Sequence, residues 1–218
     1  MANRIVVAGS TISASQLKDF FRQVEDGSID GNIMQAVIEH RNPFAFERNQ
    51  HGHVVLTFTG LDLTGAAEIK RLEAAGYRPT NYAKSCLLST REDSYDKHHR
   101  LIAGRIYKVA LMPGKEIDID ADRTTVNLQK RGMEYYGYGK SLAGLIPRVR
   151  EALSDKQMEE LHVWYAAALH DPIIDSGGHS LVLNADRSGD GRRVSARWGG
   201  PDDRWVDRGA FAFPVVAS

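Results

Sequence analysis

The sequence predicts an α+β protein: an N-terminal helical hairpin, then a mixed domain closing in a C-terminal antiparallel β-meander. Three observations predict it. Apolar residues recur at three- and four-residue steps before Pro43, β-branched and aromatic residues alternate over Val54 to Thr59, and glycine-rich turns separate short alternating stretches beyond Asp171.

In the helical part, Ser13-Ala14-Ser15-Gln16 has capping-box spacing, and Leu17, Phe20, Phe21 and Val24 then lay one apolar stripe along a helix. Gly27 stops it. Ile33, Met34, Val37 and Ile38 form a second stripe, which Asn42-Pro43 ends because the residue before proline avoids the helical region. This predicts a helical module over 1–50 and an α+β domain over 51–218.

In the second region Val54 to Thr59 reads as a strand, and Thr64 caps a helix running through Ile69 and Leu72 to Gly76. Arg100 to Met112 is a second strand closed by Pro113-Gly114, and Asp122 to Arg131 is helical. Glu116, Asp118, Asp120 and Asp122 alternate with apolar residues, the pattern of a charged, half-exposed edge strand. Met133 to Gly139 reads as an aromatic loop, and a helix starts near Ile146 with Pro147 at its first position. Ser154 opens another capping box, and periodicity does not assign Val163 to Leu169. Ser180 to Leu183, Arg193 to Trp198 and Ala210 to Val216 supply the three strands of the meander.

Composition restricts function. Lys plus Arg and Asp plus Glu balance at 28 each, so no global positive field draws nucleic acid. The short apolar run Ile5 to Ala8 is too brief for a membrane span or a secretory leader. The single cysteine, Cys86, makes no internal disulfide and no thiolate zinc site, and it reads as core; the chain reads as cytoplasmic, with no cofactor expected. Gly139-Lys140-Ser141 lacks the upstream glycine of a phosphate-binding loop. Asn184, Asp186, Ser188 and Asp190 are spaced like calcium-loop ligands, but the twelfth position is Ser195, so a plain turn is the better reading. His170, Asp171, Asp175 and His179 are the weak metal candidates and underlie the alternative of a metal-assisted enzyme; a structural or assembly protein is a third reading.

The C-terminal segment points to binding. No glutamate follows Glu160 and no lysine follows Lys156, so every later charge is Asp or Arg, interleaved with indoles. Arginine and tryptophan are enriched, and lysine depleted, at binding hot spots. Trp198, Asp202, Asp203, Arg204, Trp205 and Arg208 are therefore the expected contact face of a noncatalytic module whose partner is a protein or a small ligand. The competing reading places both indoles in the core.

Leu72 to Thr80, Val163-Trp164-Tyr165, Arg193 to Trp198 and Gly209 to Val216 together resemble uncharacterised bacterial proteins of uncultivated lineages. More distantly they resemble the C-type-lectin-like fold of formylglycine-generating-enzyme relatives and retroelement-diversified variable proteins. The resemblance implies that the meander belongs to a lectin-like sheet and that Gly199 to Arg208 is its ligand-facing loop. The enzyme branch works through a cysteine pair and this chain has Cys86 alone, so the resemblance implies binding rather than that chemistry.

Overall fold

The computed structural model describes residues 6–7, 10–11, 13–27, 29, 31–39, 46–188 and 191–216. The chain divides into two compact units, Met1–Ala45 and Phe46–Ser218.

In the first unit two short strands, β1 (Val6–Val7) and β2 (Ser10–Thr11), pair antiparallel ahead of helices α1 (Ala14–Glu25) and α2 (Gly31–Ile38). The Ser13 capping box forms as its spacing predicts: Ser13 Oγ accepts the Gln16 N–H, and the Gln16 side chain returns to the Ser13 N–H. Gly27, at φ +76°, turns the chain out of α1. Asn42-Pro43, the expected end of the second helix, lies outside the described residues.

The second unit is built on one mixed sheet. Its elements in chain order are β3 (Val54–Thr59), α3 (Gly65–Ala74), β4 (Arg78–Pro79), α4 (Asn81–Leu87), α5 (Tyr95–His98), β5 (Ile106–Pro113), α6 (Thr125–Lys130), α7 (Leu145–Ala152), α8 (Asp155–Glu160), β6 (Tyr165–Ala167), β7 (Ile173–Ile174), β8 (Ser180–Asp186), β9 (Arg193–Trp198) and β10 (Gly209–Pro214). Thr64, Thr80, Thr124 and Ser154 each cap a helix by accepting an N–H with the side-chain oxygen, which is why α3, α4, α6 and α8 begin where they do.

The strands run β3-β5-β10-β6-β8-β9-β4, with β7 beside β8. Here the meander expectation is corrected. β8 and β9 form an antiparallel hairpin, but β10 leaves them and inserts at the sheet's centre, antiparallel to β5 and parallel to β6. The reason is burial. Ala210, Phe211, Ala212 and Phe213 are apolar on both faces of the strand and all but inaccessible, a composition suited to a central strand rather than an edge.

The two faces carry two cores. Leu111, Val109, Ala166, Leu183, Val194 and Ala196 point to the face that α3, α4 and α7 cover, with Leu72, Cys86, Leu145 and Val149 among the packing partners. Met112, Phe211, Phe213, Ala167, Val182 and Tyr165 point to the other, which α6 covers through Leu128. Cys86 is fully buried, and burial pushes its thiol up to about 12, so it is a packing residue.

Several local expectations are revised. The Glu116 to Asp122 segment is not an edge strand with its carboxylates aligned; it forms two 3₁₀ turns, Gly114–Glu116 and Asp120–Asp122. The buried Arg123 guanidinium accounts for this. It donates to the carbonyls of Gly114, Ile117 and Asp118 and to the Asp120 carboxylate, wrapping the segment around itself. The beginning of the aromatic loop is a π-helical turn, Arg131–Tyr135, continuing α6. Pro147 is the third residue of α7 rather than the first, still within the turn whose N–H groups need no intrahelical partner. The second strand begins at Ile106 instead of Arg100, and the unassigned apolar run Val163 to Leu169 is a strand only over Tyr165–Ala167, β6.

His99 and His170 are buried side by side, ring centroids 4.6 Å apart. His170 Nδ1 donates to the Asp171 carbonyl and its Nε2 accepts the Leu183 N–H, fixing the neutral ring. Burial, together with His99, lowers His170 to about 3, and burial lowers His99 to about 4. The unfolded chain takes up these protons near pH 6.5 while the folded protein refuses them, so the contribution to stability is full above that pH and is lost as pH falls toward 4. A plot of thermal midpoint against pH is expected to fall across that window, and His99→Phe is expected to make the fall shallower.

Candidate functional site

The face of the sheet that carries Tyr165 and Phe211 is apolar toward β10 and polar toward β8 and β9. The register explains it. Asn184 lies opposite Ser195, Asp186 opposite Arg193, and Val182 opposite Arg197, so one face of the hairpin collects an amide, a carboxylate, a hydroxyl and two guanidinium groups. Asp186 accepts from Arg193 Nε at 2.8 Å and from its terminal nitrogen at 3.2 Å, a bidentate pair. The Arg197 guanidinium sits 5.2 Å from the centre of the Tyr165 ring. Burial lifts the Tyr165 hydroxyl to about 12 despite the opposing pull of Arg197, so it stays protonated.

This polar face opens into a cavity of about 510 Å³ lined by Trp164, Asn184, Asp186, Ser195 and Arg197, with Tyr82 of α4 on its rim. A second cavity, about 440 Å³, lies beside it and shares Tyr82 and Arg197; Leu181, Trp198, Arg204, Trp205 and Val206 complete its walls. Tyr82, Trp164, Trp198 and Val206 all stand exposed.

The loop 199–208 is held by its own backbone and by Trp205. The Val126 and Thr125 N–H groups donate to the Pro201 and Asp203 carbonyls, and the Trp205 N–H donates to the Arg123 carbonyl. The Trp205 indole N–H reaches Thr125 Oγ1 at 2.9 Å, while its ring packs edge-on to Phe211 at 5.4 Å. Gly209 follows, at a point where a Cβ would come within 2.4 Å of the Tyr165 hydroxyl, so only glycine lets β10 pass that ring.

The structure divides the six residues singled out in the sequence. Trp198 is 65 % exposed and Trp205 only 4 %, so the expectation that both indoles offer contact surface is corrected for Trp205, which is anchored in the second core and presents only a wall to the cavity. Asp202, Arg204 and Arg208 are exposed, and Asp203 is half-buried with its carboxylate capping the turn at the Gly200 N–H. Arg204 and Arg197 have no carboxylate partner among the described residues. Asp202 and Arg208 line neither cavity.

Sequence reasoning missed Tyr82, Trp164, Arg193 and Arg197 as a group and read Asn184 and Asp186 as turn residues. The readable signal was a period of two: Asn184 and Asp186, then Arg193, Ser195 and Arg197, are polar every second residue on strands whose alternate positions are buried and apolar. For Tyr82 there was none, because α4 brings it there through tertiary packing.

The metal candidates do not assemble. His170 has both ring nitrogens engaged, Asp171 pairs with Lys140, and Asp175 closes a turn on the His179 N–H. Among the described residues no three His, Cys, Asp or Glu side chains converge as a metal would need. Of the calcium-like spacing, Asn184 and Asp186 stand on a strand, and Asp190 lies outside the described residues.

One further titratable cluster is closed on itself. His53 hydrogen-bonds Tyr138 through Nδ1 and Glu116 through Nε2, Tyr136 donates to the other Glu116 oxygen, and Asn49 donates to Tyr138. With every partner used, this network ties the Gly114–Glu116 turn to the residues before β3. Compared with family models, curated proteins and solved structures, the chain matches none. Among the described residues no helix is long and apolar enough to cross a membrane.

The two indoles are expected to differ sharply on truncation. Trp205→Ala should cost about 3–5 kcal/mol in urea unfolding, as removal of a buried aromatic does, while Trp198→Ala should stay within about 0.5 kcal/mol.

Proposed function

We propose that the protein is a noncatalytic binding module that holds an extended acidic segment of a partner protein in the trough between Tyr82, Trp198 and Val206. The observation that carries this reading is the state of β9's outer edge. The Gly199 N–H donates to the Ser180 carbonyl, which sets the alternation along β9: residues 193, 195 and 197 face β8, and 194, 196 and 198 face away. Val194 is taken by β4, where its carbonyl accepts the Thr80 N–H. Ala196 and Trp198 are left with main-chain groups that no strand pairs among the described residues.

Ala196 is buried in the first core, so the accessible stretch of this edge is the one at Trp198; an unpaired edge beside an apolar trough is the geometry by which a sheet accepts an added strand, main-chain hydrogen bonds supplying affinity and side-chain pockets selectivity. Trp198 offers a large exposed indole, Leu181 and Val206 an apolar lining, and Arg204 a guanidinium with no carboxylate partner among the described residues. The complementary ligand therefore alternates an apolar side chain with carboxylates.

Selection from a displayed library of random peptides tests this. Enrichment of peptides that pair an aromatic or aliphatic residue with Asp or Glu is expected, and N-methylation of their central amides is expected to weaken binding about tenfold, the cost of one or two lost hydrogen bonds. Combined Trp198→Ala and Arg204→Ala should abolish binding with the thermal midpoint unchanged. Peptides that bind the double variant as well as the unaltered protein would refute the reading.

A further inference from the structure

The helical hairpin of the first unit leaves its apolar side chains uncovered. No residue of α1 is buried. Leu17 is 45 % exposed and Phe21 58 %, Val24 is exposed too, and Phe20 is half-buried with its ring edge-on to Phe21, centres 5.9 Å apart. In α2, Val37 and Ile38 are exposed as well. A helix as short as α1 is marginal in water on propensity and caps alone, and draws its stability from the packing of its apolar face. The stripe of Leu17, Phe20, Phe21 and Val24 therefore calls for a partner that brings an apolar stripe of its own.

The charges beside the stripe specify which partner. Arg22 is answered within the helix, 3.7 Å from Asp19 and 3.1 Å from Asp26. Lys18 and Glu25 have no oppositely charged partner among the described residues. They stand seven residues apart, two helical turns, so both lie on the flank next to Phe21, while the opposite flank carries the amides Gln16 and Gln23. When two identical helices pack antiparallel across a two-fold axis, each flank meets the same flank of the other copy. An axis passing between Phe21 and Arg22 then sets Lys18 of each copy beside Glu25 of the other, and the amide flanks meet on the far side. Parallel packing sets the charged flank against the amides and answers neither charge.

We propose that the protein associates with a second copy of itself through α1, the two apolar stripes packed antiparallel and the interface closed by reciprocal Lys18–Glu25 pairs. An unrelated helix would carry the matching charge order only by coincidence, whereas an identical copy supplies it by symmetry. The association draws on no residue of the peptide trough, whose lining belongs to the second unit.

Sedimentation equilibrium of the full chain, from micromolar to near-millimolar concentration, tests the assignment. A reversible equilibrium between monomer and dimer is expected. Lys18→Glu and Glu25→Lys, each alone, should weaken the dimer about tenfold, because each turns two attractive pairs into two repulsive ones. The two substitutions combined should restore it, and Phe21→Ser should abolish it. Lys18, Phe21 and Glu25 are exposed, and all three tryptophans lie in the second unit, so an unchanged near-ultraviolet spectrum shows that each variant keeps that unit folded. A monomer at every concentration, a dimer untouched by either single charge reversal, or a double reversal no tighter than the single ones overturns the proposal.

Discussion

The C-terminal face depends on how the loop 199–208 is seated on the segment 123–126. Arg123 supplies the fixed point, a guanidinium at 2 % exposure whose donors are spent on the backbone of the Gly114 to Asp120 segment, with Trp205 O at 3.5 Å. A buried cation is tolerable only when its donors are answered, and here main-chain carbonyls and the Asp120 carboxylate answer them. Trp205 then enters the second core against Phe211 and Tyr165, while Thr125 satisfies its N–H. With that end of the loop fixed, Arg204 and Val206 are presented outward on either side of a buried residue.

The same seating explains why the two cavities exist. Helix α6 and the turn after it cover the Met112, Phe211 and Phe213 part of the face, in a cluster that takes in Val182 of β8 and no residue of β9. The uncovered part is polar because its residues answer one another: Asp186 to Arg193, Ser195 to Thr80, Arg197 to the Tyr165 ring. Asn184 Oδ1 is the member of this set left without a donor.

Much of the local structure was legible in the chain. Ser13, Thr64 and Ser154 announced three helix starts through capping chemistry that depends on residues at most three positions away. Val54 to Thr59 and Arg193 to Trp198 declared themselves as strands by alternation. The carboxylate series from Glu116 to Asp122 misled because a period of two is also compatible with successive 3₁₀ turns when a distant donor, here Arg123, collects the carbonyls. Trp198 and Trp205 have the same side chain and similar charged neighbours, and nothing in their flanks separates an exposed indole from a buried one.

What the sequence determined by itself is therefore where the capped helices begin and which stretches alternate as strands, because caps, glycine turns and side-chain periods act within a few residues. Tertiary structure decided which strands became neighbours: β10 left the β8–β9 hairpin for the centre because its residues are apolar on both faces and needed cover on both. Tertiary packing likewise set β4 against the Arg193–Val194 end of β9 alone, put Tyr82 and Trp164 at the cavity that Arg197 lines, and brought Trp205 inside. Each is a relation between residues tens of positions apart, set by the burial of whole surfaces, and no local pattern encodes it.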